Sequence, residues 1–455
     1  MSQKQSVAII GAGITGLIAA HHLKRNGFDV SIFEAESKPG GIIQGSVDDN
    51  WVSESGYGLI NYADPVINRL IGELGLRDDV IELGPLHKKK FIAQNKKYRR
   101  IPNTLKDAIW SSYLPMGMRL RILFGRFIKK NVSENDSVEG FLETFFGPMA
   151  GSILAEPLSK ALFGGNEKDL SIRNAMPELF EATKAKRSIS KAITTVLEAR
   201  KLDLDNTSMV ALRFGLPSLV GALADQLSEE LILEAKVIQV KKHQNKWLVT
   251  IDLGDEHRYF VADHVVFATS APALENITLG DKKHPDLQTI AAMPHAPLTV
   301  INMGFRWADL KHKLDSAGFI VPRSEQKSFL GVQFTSSFIE ERTPGGYNLI
   351  TVFAGGTENT EIANQPINHI KTKILKDLDH YLGVGAYPSY VRAFASASAI
   401  PQFTNSYDQV RNAISNFEEQ HPGLHLVGQY RFGLGIERCI NQTIDLMDHI
   451  IDAGK

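Results

Sequence analysis

The sequence predicts an α/β fold built on a buried parallel sheet whose strands come from separate stretches of the chain, and three observations carry that expectation. A short apolar strand, Ser6 to Ile10, runs straight into Gly11-Ala-Gly13-Ile14-Thr15-Gly16. A second strand, Asp29 to Phe33, closes on the acidic Glu34. Two more apolar strands follow far downstream, His264 to Phe267 and Leu424 to Val427, each running into a turn. Strands that are apolar throughout suit a parallel sheet covered on both faces.

Each element of the opening has a physical task. Gly11 permits a tight turn, Gly13 lets main-chain N–H groups approach a pyrophosphate, and Gly16 lets helix pack close to strand. Leu17 to Arg25 reads as a helix that ends at Asn26-Gly27, and its N-terminus offers positive potential to phosphates. Glu34, 18 positions beyond Gly16, is placed to accept hydrogen bonds from ribose hydroxyls. An acidic residue there disfavours a 2′-phosphate. Strand, turn, helix, strand and acid in this order within about 30 residues make a Rossmann-type dinucleotide unit. No second such unit follows, so a separate NAD(P)H domain is not expected.

Ala35 and the pair Gly40-Gly41 extend the pattern to E-A-x-x-x-x-G-G, which resembles the flavin-containing amine oxidases and their relatives. In those proteins the extension runs past the FAD pyrophosphate. The strand containing Ala268-Thr269 resembles the A-D-x-V-V-x-A-T strand that re-enters the nucleotide-binding sheet, and Val237 stands where such folds offer main chain to the adenine. Gly428 ends the Leu424 strand, and Gly435 and Ile436 precede a final helix, read as Arg438 to Ile451, whose N-terminus would face the flavin. The resemblance therefore implies FAD.

Composition bounds the alternatives. The 455 residues allow two or three domains. A net charge of −1 gives no basic field for nucleic acid. The single cysteine, Cys439, excludes a disulfide framework, a thiolate metal site and a CxxC pair within one chain. Neither a signal peptide nor a spanning segment is expected, so the reading is cytoplasmic, with peripheral contact at the inner face of a membrane left open. A homodimer is also left open.

The FAD-binding domain is expected from 1–87, 205–282 and 418–455, a helical region from 88–204 and a mixed α/β substrate domain from 283–417. The basic stretch Met118 to Lys130 reads first as a solvated face and second as an interfacial helix. Lys88 to Lys90 with Lys96 to Arg100 reads as a solvated hairpin.

Three further stretches bear on function. Glu156-Pro-Leu-Ser-Lys-Ala161-Leu-Phe163-Gly-Gly-Asn166, continuing through Leu170-Ser-Ile-Arg173 to Pro177, resembles the P-L-x-x-G-V-F-A-G-[DN]-x-x-x-L-S-[IL]-R-x-x-x-P stretch of protoporphyrinogen oxidases. Ser137 to Gly147 is similar to their S-V-x-x-F-x-x-R-x-x-G. Ala399 to Phe403 and Gly428 to Ile440 are similar to A-[IL]-P-Q-Y and G-N-x-x-G-V-G-[VI]-x-D-C-I. This resemblance implies stepwise oxidation of a porphyrinogen in haem biosynthesis, protoporphyrinogen IX to protoporphyrin IX. Hydride would pass to flavin N5, and oxygen would reoxidise FAD with hydrogen peroxide formed.

The substrate would line up with Tyr57, Ala161 and Phe163. The family's proline is Tyr57 here, its glycine is Ala161 and its aspartate is Arg438. No catalytic acid or base is assigned. Coproporphyrinogen III oxidation, a flavin amine oxidase or desaturase with Tyr407 and Tyr430 flanking the flavin, and a non-catalytic FAD-binding relative remain as alternatives.

Overall fold

A computed structural model of the chain describes residues 4–102, 105–125, 129–199, 208–254 and 256–453. Its organising element is a five-stranded parallel sheet, among the described residues, in the order Leu231–Ile232, Asp29–Phe33, Ser6–Ile10, His264–Phe267, Leu424–Leu426. The opening strand is therefore central, flanked by one neighbour close in sequence and another more than 250 residues on.

Alternation along that strand decides which core each side chain joins. Val7 and Ile9 face the opening helix, Ile14–Arg25, and the C-terminal helix, Ile436–Ala453. Ala8 and Ile10 face the opposite way, into a core shared with Phe267, Phe417 and Trp247. Phe141, Phe145 and Phe180 of the helical segment bury in that same core, so the helices pack onto the sheet.

A larger seven-stranded sheet faces the unit built on the parallel sheet. Its order is Tyr390–Pro401, His295–Arg306, Tyr347–Gly355, Gly331–Gln333, Gly318–Ile320, Lys90–Gln94, Lys97–Arg100. Residues 90–100 thus join this sheet through parallel pairing of Lys90–Gln94 with Gly318–Ile320, although the expected division grouped them with the helices. The β-rich run from Leu231 to Val240 breaks at Glu234, which has φ +54°. Leu231–Ile232 extends the parallel sheet, whereas Lys236–His243 starts an antiparallel hairpin with Lys246–Asp252.

One buried ion pair ties the segments around residues 54 and 212–216 to the large sheet. Arg342 is fully buried, and its Nη2 lies 2.8 Å from Glu54 Oε1. The same Nη2 donates to the Leu212 carbonyl at 3.0 Å, and Glu54 Oε2 accepts from Leu216 N at 3.0 Å. The Glu54 carbonyl accepts from Asn302 Nδ2 of the large sheet. Removing one partner of such a pair strands a buried charge. Arg342→Met is expected to cost about 3–5 kcal/mol of stability, read as an earlier urea midpoint; an unshifted midpoint would show that the pair holds nothing.

Candidate active site

The glycine turn shapes a cleft of about 460 Å3 at the carboxyl edge of the parallel sheet, where ligands of open α/β sheets bind. A Cβ on Gly16 would lie 2.0 Å from the Gly11 carbonyl oxygen, so only glycine lets the helix start this close to the strand. Gly11 has φ +102° and packs against the Ala268 carbonyl. A Cβ on Gly13 meets nothing within 4 Å, because that position opens onto the cleft. Gly40 bridges to Gly13 and donates its N–H to the Ala12 carbonyl at 2.9 Å. The second glycine pair is thereby fastened to the first turn.

The predicted cofactor residues gather here. Gly11, Gly13, Ile14, Thr15, Glu34, Ala35, Gly40, Gly41, Val237, Ala268, Thr269, Gly428 and Ile436 all line the cleft. Gly16 lies behind it as a spacer, and Gly435 lines the adjoining cavities instead. Glu34 is held by main chain: Oε2 accepts from Ala12 N at 2.6 Å and Oε1 from Glu36 N at 3.0 Å. Each oxygen keeps a lone pair for a further donor. Thr269 Oγ1 is buried on the cleft wall with no partner among the described residues. A cradle of bare amides, an oriented carboxylate and an unpaired hydroxyl fit a dinucleotide.

Gly41, Ile42, Leu216, Gln429 and Ile436 also line a second cavity of about 430 Å3, continuous with the cleft. Its opposite wall is the large sheet, with Val300, Phe353 and Phe394. This slot in turn shares Tyr57, Ala161, Leu162 and Gly435 with a third space of about 900 Å3. Tyr57 stacks on Phe353 with ring centroids 4.6 Å apart. It is 50% exposed, but that surface faces the cavity, and the enclosing walls push its phenol up to about 12. It therefore stays protonated at neutral pH. Lys160, with Nζ bonded to the Val321 carbonyl at 3.2 Å, is the other titratable group on the slot wall among the described residues.

Phe163 does not reach this cavity. It is buried in the core, and its carbonyl accepts from Gln402 Nε2 at 2.9 Å. Its neighbour Leu162, on the other face of helix Glu156–Phe163, lines the space instead. The remaining motif residues act as supports. Ser171 N donates to the Phe403 carbonyl at 2.9 Å, and Ser171 bridges to Ser137. These contacts join the start of helix Val138–Phe146 to the Phe403 segment, whose Gln402 holds the Phe163 end of the helix that presents Ala161. Of the tyrosines considered for an aromatic pair, Tyr407 donates its hydroxyl to the Tyr430 carbonyl at 2.8 Å and does not line the slot, whereas Tyr430 is buried beside the dinucleotide cleft.

The family model of flavin-containing amine oxidoreductases matches residues 14–444. The chain belongs to that family. As such a flavoprotein it is an FAD-dependent oxidoreductase. Among curated relatives it is 29% identical to the mitochondrial protoporphyrinogen oxidase of Nicotiana tabacum, with 99% of this chain and 95% of that one covered. It is 24% identical to the coproporphyrinogen III oxidase of Staphylococcus aureus, at 96% and 97% coverage. The fold matches a crystal structure from Exiguobacterium sp. 255-15, provisionally named protoporphyrinogen oxidase, with TM-score 0.81, 20% identity and complete coverage of both chains. It also matches putrescine oxidase, with TM-score 0.71, 15% identity and 99% coverage of each.

Gly13 separates cofactor binding from folding, since its backbone (φ −69°, ψ 175°) suits any residue and a Cβ there meets no protein atom within 4 Å. Gly13→Val should fold normally yet purify with less than a tenth of the wild-type flavin absorbance. Full flavin content in that variant would show that the phosphates lie elsewhere.

Proposed function

We propose that this flavoprotein oxidises a porphyrinogen to the porphyrin, protoporphyrinogen IX before coproporphyrinogen III. The observation that carries the reading is the continuous path from dinucleotide cleft to an apolar slot and on to a large cavity. At about 430 and 900 Å3 the two substrate spaces reach the upper range of small-molecule sites. The titratable groups of the slot wall, among the described residues, are Tyr57, which stays protonated, and Lys160, whose Nζ donates to the Val321 carbonyl and whose pKa burial lowers. Bound FAD would supply the hydride acceptor, and oxygen is the proposed terminal oxidant.

The protein's own part is to position, to exclude water and to compensate charge. Leu59, Phe91, Phe319 and Val332 supply apolar wall to the larger cavity. Lys90 enters the same wall from the large sheet, and burial among these groups lowers its pKa. It is the cation suited to a propionate, and it offers the stem of a long side chain to the tetrapyrrole's rim. Anaerobic mixing with protoporphyrinogen IX should bleach the flavin. Bleaching by an aliphatic amine and by neither porphyrinogen would overturn the assignment.

A second part of the proposal concerns a membrane surface. No helix among the described residues is long and apolar enough to span a bilayer. Helix Met116–Leu123 buries Met118 and leaves Met116, Leu120 and Leu123 exposed, with Trp110 (80% exposed) and Phe124 nearby. The exposed Arg121, Lys129 and Lys130 accompany this apolar patch, while residues 126–128 of the same basic stretch lie outside the described residues. Apolar side chains rimmed by cations suit an anionic interface. The protein should co-sediment with vesicles containing phosphatidylglycerol, and Leu120→Asp with Leu123→Asp should abolish it; equal sedimentation of both proteins would refute the contact.

A further inference from the structure

Arg438 stands on the partition between two cavities. On one side it lines the large substrate space, and on the other a smaller one of about 340 Å3 into which Arg173, Arg411 and Arg431 also turn. Those three guanidiniums are engaged at hydrogen-bond distance. Arg173 pairs with Glu134 at 3.2 Å and Asp408 at 3.4 Å. Arg411 pairs with Asp408 at 2.9 Å and donates to Asn174 Oδ1 at 2.6 Å. Arg431 pairs with Glu418 at 2.5 Å and donates to the Leu426 carbonyl at 2.7 Å.

Arg438 is held differently. Its acidic neighbour, Glu178, is 3.8 Å away, outside hydrogen-bond range, and also lines the substrate space. The phenol of Tyr407 senses Arg411, Arg431 and Arg438 together, which puts the three cations in one electrostatic neighbourhood. The carboxylates Glu134, Asp408 and Glu418 on that side are taken up by the other three guanidiniums, and a loosely held planar fork is suited to bidentate capture of a carboxylate. The position follows Gly435-Ile436, which form part of the slot wall. A carboxylate anchored here would fix the macrocycle's edge next to the redox end of the path. Lys90 reaches the same space from the large sheet, so the two cations come from different layers.

We propose that Arg438 is a specificity-determining residue that anchors a carboxylate of the substrate on the helix side of the cavity. This rests on the porphyrinogen reading, and the test keeps the two apart. Fluorescence titration of the holoenzyme with protoporphyrin IX and with its dimethyl ester isolates the carboxylate. Arg438→Gln should weaken binding of the diacid about ten-fold or more and leave the ester within about two-fold. Arg438→Lys should recover part of the lost affinity for the diacid, because it restores the charge without the fork. Equal weakening of diacid and ester by Arg438→Gln, or no weakening of the diacid, would overturn the anchor alone. A wild-type flavin that protoporphyrinogen IX and coproporphyrinogen III both fail to reduce would overturn the porphyrinogen reading, and the anchor with it.

Discussion

The distance between Gly16 and the Gly11 carbonyl constrains everything built above the parallel sheet. With no room for even one methyl group, the opening helix begins directly over the end of its strand. That places unpaired main-chain N–H groups at the rim of the sheet, where a diphosphate gains from both the amides and the helix terminus. Glu34 then reaches back to Ala12 N, and Gly40 to the Ala12 carbonyl, so one residue of the turn is clamped from both of its polar groups. Loosening the helix by the width of a methyl would disturb the turn, the acid and the second glycine pair together.

The substrate end depends on a different kind of contact. Glu54 and Arg342 are buried charges that meet a carbonyl of one segment, an amide of another and a side-chain amide from the large sheet, while Arg342 Nε and Nη1 have no partner among the described residues. The loop that carries Tyr57 leaves directly from Glu54. A Cβ on Gly58 would sit 1.9 Å from Glu54 Oε1, so the loop folds back over the carboxylate it comes from. Ring stacking on Phe353 then fixes the tyrosine as part of the cavity wall.

Local chemistry was legible in the sequence where a residue's task depends on its immediate neighbours. The glycine turn, Glu34, the re-entering Ala268-Thr269 and the closing Gly428 could be assigned because strand-to-helix turns leave a fixed spacing. What escaped was set by distant pairing. Lys90 resembled one more solvated lysine in a charged run, and only parallel pairing with Gly318–Ile320 turns it to the cavity. Phe163 and Leu162 differ by one position on a helix, and the choice between core and cavity rests on where that helix lies over the sheet. Between Leu231 and Val240 the chain breaks at Glu234-Ala235-Lys236, residues poor in β propensity, and each half reaches a separate sheet.

The strand order of the parallel sheet has a consequence for how the protein comes into being. Synthesis runs from the N-terminus, and the glycine turn is made more than 240 residues before the strand that closes against it. The wall opposite it waits for residue 264, and the sheet's outer strand and final helix wait for residues 424–453. Contacts of such sequence separation form late and slowly. Until residues 264–267 pair with Ser6–Ile10, one edge of the opening strand, with its apolar Val7 and Ile9, has no partner in the sheet.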